Sequence, residues 1–311
     1  MTELRRKNVL ITNDDGVSAP GLQALVKELN RQCECNIYVC GPFGERSGQS
    51  NAISLGKSIH TFEISVPGAV QAFAVDGTPA DSIVVAFRSP ILKTKDFDIV
   101  VSGINRGDNA GVHVVYSGTV GAAREASFAG YHALAFSIDS HSARSEEQYA
   151  TAARYASCII REHLGIGSVQ RDLLKHVVLN VNIPGHEAVR GIHLCRQSRH
   201  STTSDLAELD GDEDFIENNS HKDRSIHMGD VTVRAFKYQN LRFLVDRSTD
   251  ADHHLLTQGW CTVTPLDSLM DLPLSLEDAT MKYNPELIAV IQELVRKSAA
   301  GISADCQAVV G

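Results

Sequence analysis

Val9-Leu10-Ile11-Thr12-Asn13-Asp14-Asp15-Gly16 reads as a short buried strand running directly into a polar turn. Four residues that suit a doubly covered strand are followed by Asn-Asp-Asp-Gly, a composition well suited to a tight turn. The end of such a strand faces the crevice where open α/β sheets bind ligands, and here it carries two adjacent carboxylates. Oxygen ligands of this kind suit a hard divalent cation such as Mg²⁺, which needs one or two carboxylates plus water and substrate phosphate. The same four residues also make a plain turn, so the chemistry depends on what the other strand ends bring.

Working outward, similar apolar runs recur at 8–12, 36–41, 71–76, 98–104, 133–138 and 177–183. Helical stretches alternate with them at 20–30, 80–92, 118–130 and 145–164. In the first of these, Leu22, Leu25, Val26 and Leu29 recur at helical spacing after a Ser18-Ala19-Pro20 start signal. The alternation predicts an α/β fold, a Rossmann-like, doubly wound and mostly parallel sheet. Residues 44–70 are too long for a simple crossover and predict a loop with an extra hairpin.

After Pro184 the character changes. Residues 196–230 are polar, and Glu208 to Glu217 hold six acids in ten positions, without the spacing of a calcium loop. A solvated loop is expected there. Strand-like runs return at 231–236, 241–246 and 259–264, a helix at about 284–298, and a small, polar tail over 299–311 that is expected to be disordered. The predicted organisation is a catalytic core over 1–190 and an extension over 191–311, made of a polar loop, a β-hairpin and a C-terminal helix.

Loops at the other strand ends add donors. Strand 98–104 exits through Asn105-Arg106-Gly107-Asp108-Asn109, strand 36–41 towards Arg46-Ser47-Gly48-Gln49-Ser50-Asn51, and Tyr116-Ser117-Gly118-Thr119 precedes a helix. Backbone amides at a helix N-terminus attract phosphate, and hydroxyls add to them. All these loops leave one edge of a parallel sheet, so they are expected to converge. Gly56-Lys57-Ser58 lacks the first glycine of a Walker loop, no Gly-x-Gly-x-x-Gly follows the first strand, and no Gly-x-Ser-x-Gly elbow is present. An NAD-dependent oxidoreductase, which the fold class alone would allow, is therefore disfavoured.

Taken together, Asn13-Asp14-Asp15-Gly16-Val17-x-Ala19-Pro20-Gly21, Arg46-Ser47-Gly48-x-Ser50-Asn51, the run from Asp98 to Asn105 and Tyr116-Ser117-Gly118-Thr119-Val120 resemble the SurE family of survival-protein nucleotidases. Gly77-Thr78-Pro79-x-Asp81, Asn180-Val181-Asn182-Ile183-Pro184 and Val263-Thr264-Pro265-Leu266 support it. The similarity covers roughly 7–195 and a stretch near 260. It implies a metal-dependent phosphomonoesterase that hydrolyses nucleoside monophosphates, with 3′-nucleotides and short polyphosphates as further substrates. The implied cofactor is Mg²⁺ or Mn²⁺ on Asp14, Asp15, Ser47 and Asn105, with Asp14 and Asp15 catalytic. Asn51, Asn109, Ser117, Gly118 and Thr119 would surround the phosphate, and the extension would build a homodimer or homotetramer. The acidic stretch 205–225 departs from the family's pattern. The rival from another class is a silent nucleotide- or metal-binding regulatory module.

The 311 residues carry 29 Lys and Arg against 38 Asp and Glu, a formal charge of −9. That balance argues against nucleic-acid or acidic-membrane partners, which need clustered cations. Seven cysteines without a Cys-x-x-Cys pair read as idle reduced thiols. With no signal-like start and no apolar run of membrane-spanning length, a soluble cytoplasmic protein is expected.

Overall fold

A computed structural model of the protein describes residues 5–185, 188–199, 201–209, 235–244, 246–268 and 285–308. Lys7–Thr12 forms strand β1, and its alternating side chains explain why Val9, Leu10 and Ile11 are all apolar. Val9 and Ile11 enter one hydrophobic cluster while Leu10 enters another on the opposite face. The helix Pro20–Gln32 (α1) leads to Cys35–Pro42 (β2), and His60–Ile64 (β3) pairs antiparallel with Gln71–Asp76 (β4), so that the stretch 44–70 adds one strand and not a hairpin of its own. Then follow Pro79–Arg88 (α2), Ile99–Arg106 (β5), a one-turn helix His113–Tyr116 (α3), Gly118–Phe128 (α4) and Ala133–Asp139 (β6). Glu146–Leu164 (α5), Ser168–Leu173 (α6), Val177–Pro184 (β7) and Ile192–Leu194 (β8) continue the chain.

The chain divides into two units, Met1–Arg199 with Asp246–Gly311, and His200–Val245. The first holds a nine-stranded sheet in the order β3-β4-β2-β1-β5-β6-β7-β11-β8, where β11 is Cys261–Asp267. Pairing is parallel except between β3 and β4 and between β7 and β11. Leu22, Leu25, Tyr149 and Ile160 from α1 and α5 cover one face, and Ile83 and Ala122 from α2 and α4 the other. From β1 the chain winds outward to β2, and later returns to β5 on the opposite side of β1. The topological switch point therefore lies between the C-terminal ends of β1 and β5. The predicted α/β class and doubly wound sheet hold.

Three expectations give way. The runs 231–236 and 241–246 were to be separate strands, but Ala235–Leu244 is a single strand (β10), shifted in register between Gln239 and Arg242. Its partner is Ser201–Leu209 (β9), inside the stretch read as a polar loop. A two-stranded ribbon is defined by its backbone pairing, so Ser-Thr-Thr-Ser-Asp shows no apolar alternation to betray it. Residues 210–234, most of the acidic stretch, lie outside the described residues. The C-terminal helix Pro285–Ala308 (α8) also runs through most of the tail expected to be disordered. Ala299 and Ala300 are strong helix formers, and Ile302 is buried. Between β10 and β11 lies a further short helix, Asp252–Thr257 (α7).

The expected boundary near 190 falls between β7 and β8. The six cysteines whose side chains are described are free thiols. Among the described residues, no helix is long and apolar enough to cross a membrane.

Candidate active site

Asp14 leaves the end of β1 as a buried carboxylate, only 3% exposed. Asn13 Nδ2 donates to the Gly16 carbonyl at 2.8 Å and closes the turn. Gly16 sits at φ +99°, and an added Cβ would lie 3.0 Å from the Gly44 Cα, so conformation and space both demand glycine. The Thr119 hydroxyl and backbone N–H both donate to the Asp14 carboxylate. Gly118 packs flat against it, and a Cβ there would stand 2.9 Å from the Asp14 Cβ. Ser117 caps α4 by accepting the Val120 N–H at 3.0 Å. Asp15 turns the other way and accepts the Arg106 N–H at 3.0 Å. The two acids thus tie the end of β1 to the start of α4 and to the end of β5.

Burial pushes the Asp14 carboxyl up to about 7; the Asp15 charge adds to this and the bonds from Thr119 oppose it. Asp15 is raised as well, chiefly by burial, against the pull of the Arg106 N–H and guanidinium.

The loop after β2 is fastened to the same turn, because the Arg46 N–H donates to the Asp14 carbonyl at 2.7 Å. Ser47 Oγ donates to Glu45 Oε1 at 3.2 Å, and Glu45 Oε2 accepts Arg106 Nη2 at 3.0 Å. Asn105 Nδ2 donates to the Gly107 carbonyl at 2.7 Å, which leaves Oδ1 as the atom it offers elsewhere. Asn109 is anchored at three points: its N–H on Asn182 Oδ1 at 2.7 Å, its Nδ2 on Ser137 Oγ at 2.7 Å, and its carbonyl receiving Asn180 Nδ2 at 2.8 Å.

A cleft of about 300 Å³ opens between these loops, lined by Asp14, Ser47, Asn105, Asn109 and Ser117. Sequence reasoning named all five. Of the other residues it named, Asp15, Gly118 and Thr119 stand behind this lining: Thr119 and Gly118 fix Asp14, and Asp15 binds β5. Asn51 is turned aside, its Nδ2 donating to Glu125 Oε2 of α4 at 3.2 Å. Glu45, Arg106, Asp108 and His113 also line the cleft. Arg106 and Asp108 lay in a quoted loop without a role, and neither Glu45 nor His113 was singled out, because no motif marks them.

The donor set fits a hard cation. Among the described residues no three His, Cys, Asp or Glu side chains gather to hold a metal. Two carboxylates with a hydroxyl and an amide oxygen are what Mg²⁺ or Mn²⁺ accepts when water and phosphate complete the shell. Two adjacent, desolvated carboxylates with raised pKa values are also a pair whose ionised form a cation would stabilise.

A family model described as "Survival protein SurE" matches residues 9–204, more than half of the chain. The chain belongs to the SurE family. The protein named 5'-nucleotidase SurE from Clostridium botulinum (strain Eklund 17B / Type B) is 31% identical over 262 residues, spanning 83% of this chain and 92% of that protein. Its namesake from Pseudoalteromonas atlantica is 33% identical over 272 residues, spanning 87% of this chain and 96% of its own. The crystal structure of a SurE protein from Aquifex aeolicus superimposes with a TM-score of 0.63 at 26% identity, covering 90% of this chain and 99% of that one. The SurE match begins inside β1 and spans every cleft residue described above.

Proposed function

We propose that this chain is a phosphomonoester hydrolase that releases phosphate from nucleoside monophosphates in the cleft at the β1/β5 switch point. One observation carries the reading: Asp14, with Asp15 beside it in sequence and bonded to the Arg106 N–H, sits against the Ser117-capped start of α4, so that a buried carboxylate and a helix N-terminus meet at one cleft. The names of the SurE relatives support the substrate class.

In this reading Asp14, Asp15, Ser47 and Asn105 hold a divalent cation, Mg²⁺ or Mn²⁺, which when bound supplies positive charge to the phosphoryl oxygens. The Ser117 hydroxyl, the Gly118 amide at the start of α4 and Asn109 receive the remaining oxygens. Arg106 adds a guanidinium on the cleft wall. Thr119 holds Asp14 in one orientation, so that the carboxylate meets the incoming phosphorus or its attacking water in a fixed geometry. Substrates extending to 3′-nucleotides and short polyphosphates, a homodimer or homotetramer built through 191–311, and a cytoplasmic setting complete the proposal.

The test is phosphate release from a panel of 5′- and 3′-nucleotides after chelation, with Mg²⁺ or Mn²⁺ restored. Activity should return with the metal and fall by about 10³-fold or more in D14N, since an amide supplies neither the charge nor the basicity. A folded, metal-binding wild type that releases no phosphate would instead identify a silent binding module.

A further inference from the structure

The cleft carries an ion pair for which the reaction as described has no use. His113 Nδ1 lies 3.0 Å from Asp108 Oδ1, and both side chains line the cleft that Asp14 and Ser117 enter. The Asp108 side chain is 8% exposed and that of His113 is 23% exposed, so the carboxylate is sunk and the imidazole reaches towards solvent. The pair is built into the loop. Asp108 Oδ1 also accepts the Ala110 N–H at 3.0 Å. Gly111, between the two partners, is clamped by Asp252 Oδ2 on its N–H at 3.2 Å and by Gln197 Nε2 on its carbonyl at 2.6 Å. Just beyond His113, Ser117 caps the helix proposed to receive the phosphate. With Nδ1 engaged by Asp108, Nε2 carries the other proton of a charged imidazole.

Alkoxides are poor leaving groups, and a nucleoside leaves a phosphate ester as one unless a proton arrives with the bond cleavage. We propose that His113 is the acid that protonates the leaving nucleoside oxygen, and that Asp108 is its positioning residue; the inference rests on the phosphomonoesterase reading of this cleft. The phosphorus–oxygen ester bond breaks, its electron pair stays on the leaving oxygen, and that oxygen takes the proton from Nε2. Water supplies the new oxygen on phosphorus, and the proton it releases returns to the imidazole through solvent. The hydrogen bond to Asp108 holds His113 above the usual histidine pKa against the opposing effect of burial, and the Asp108, Asp252 and Asp139 charges act in the same direction as that bond. In turn, Asp108 would be raised by burial but is brought below the ordinary carboxylate value by His113, the Ala110 N–H and the nearby His253. The other titratable side chains on the cleft wall are Asp14, Glu45, Arg106, Tyr116 and His141.

The experiment compares a nucleoside 5′-monophosphate with 4-nitrophenyl phosphate, whose phenolate departs without a proton, in wild type, H113Q and D108N at saturating Mg²⁺. H113Q should lose about 10²–10³-fold in kcat on the nucleotide, lose the basic limb of the pH profile, and stay within a few-fold of wild type on the aryl ester. D108N, which keeps the imidazole, should move that basic limb to lower pH, and the His113 ring resonance should titrate lower in the metal-free protein. Equal losses on both esters would overturn the proposal and make His113 a phosphate clamp. An unmoved basic limb in D108N overturns it as well, even if H113Q fails to fold. A wild type inactive on both esters instead removes the phosphomonoesterase reading itself.

Discussion

Gly118 shows how narrowly the site is drawn at the scale of one residue. The first turn of α4 approaches Asp14 so closely that a single methyl group at 118 would meet the Asp14 Cβ at 2.9 Å and one of its carboxylate oxygens at 3.0 Å. Helix propensity alone favours alanine there. Close approach decides the other way, because the methyl must displace the carboxylate or the helix start. G118A should therefore fold, lose about 1–3 kcal/mol in urea unfolding, and lose turnover by roughly a hundredfold through misplacement of Asp14. Near wild-type turnover in G118A would show that Asp14 tolerates movement and would weaken its proposed role. Gly118 was legible in the sequence as part of a Ser-Gly-Thr turn at a helix start. The reason it must be glycine was not, since that reason is an aspartate 104 positions earlier.

At the scale of elements, α5 carries a burden that has no part in the chemistry. His163 is 1% exposed, and neither ring nitrogen meets a hydrogen-bond partner among the described residues. Its ring lies 5.4 Å from that of His132, just ahead of β6. Burial, with help from His132 and Arg171, pushes His163 down to about 3, and burial likewise pushes His132 to about 4. The sign follows from linkage. A folded-state pKa below the unfolded value of about 6.5 means that the unfolded chain takes the proton first. The stability is whole above pH 6.5 and declines as pH falls from there towards 3. By pH 5 the loss from His163 alone is about 2 kcal/mol. Urea melts of wild type and H163F at pH 7 and pH 5 test this: the variant should lose less on acidification, and parallel losses would refute it. Elements of this kind divide by legibility. Strands covered on both faces, such as β1 and β5, announce themselves by unbroken apolar runs. The ribbon strand β9 does not, because its sequence shows no such run and its pairing with β10 defines it. His113 and Asp108 meet only where the loop after β5 folds back into α3, a closure that no spacing rule describes.

The whole molecule raises the question of what accompanies it in solution. The unit His200–Val245 contributes the ribbon of β9 and β10, and Tyr238 stands directly opposite Leu206 in its register. Phe236, two residues from Tyr238, shares that face, and all three side chains are more than half exposed, at 51% to 73%. Two strands alone are marginal in water, and half-exposed apolar side chains gathered on one face are the pattern of a surface that gains from cover. The side chains that line the cleft belong to the first unit. If the proposed oligomer uses the ribbon, F236S/Y238S should lower the mass seen by light scattering at micromolar concentration from a dimer or tetramer to a monomer. Turnover per chain should change by no more than a few-fold. A wild type that is already monomeric refutes the oligomer. An oligomer that survives the double substitution moves its interface elsewhere on the fold, and one whose loss abolishes turnover means that the cleft borrows order from its neighbour.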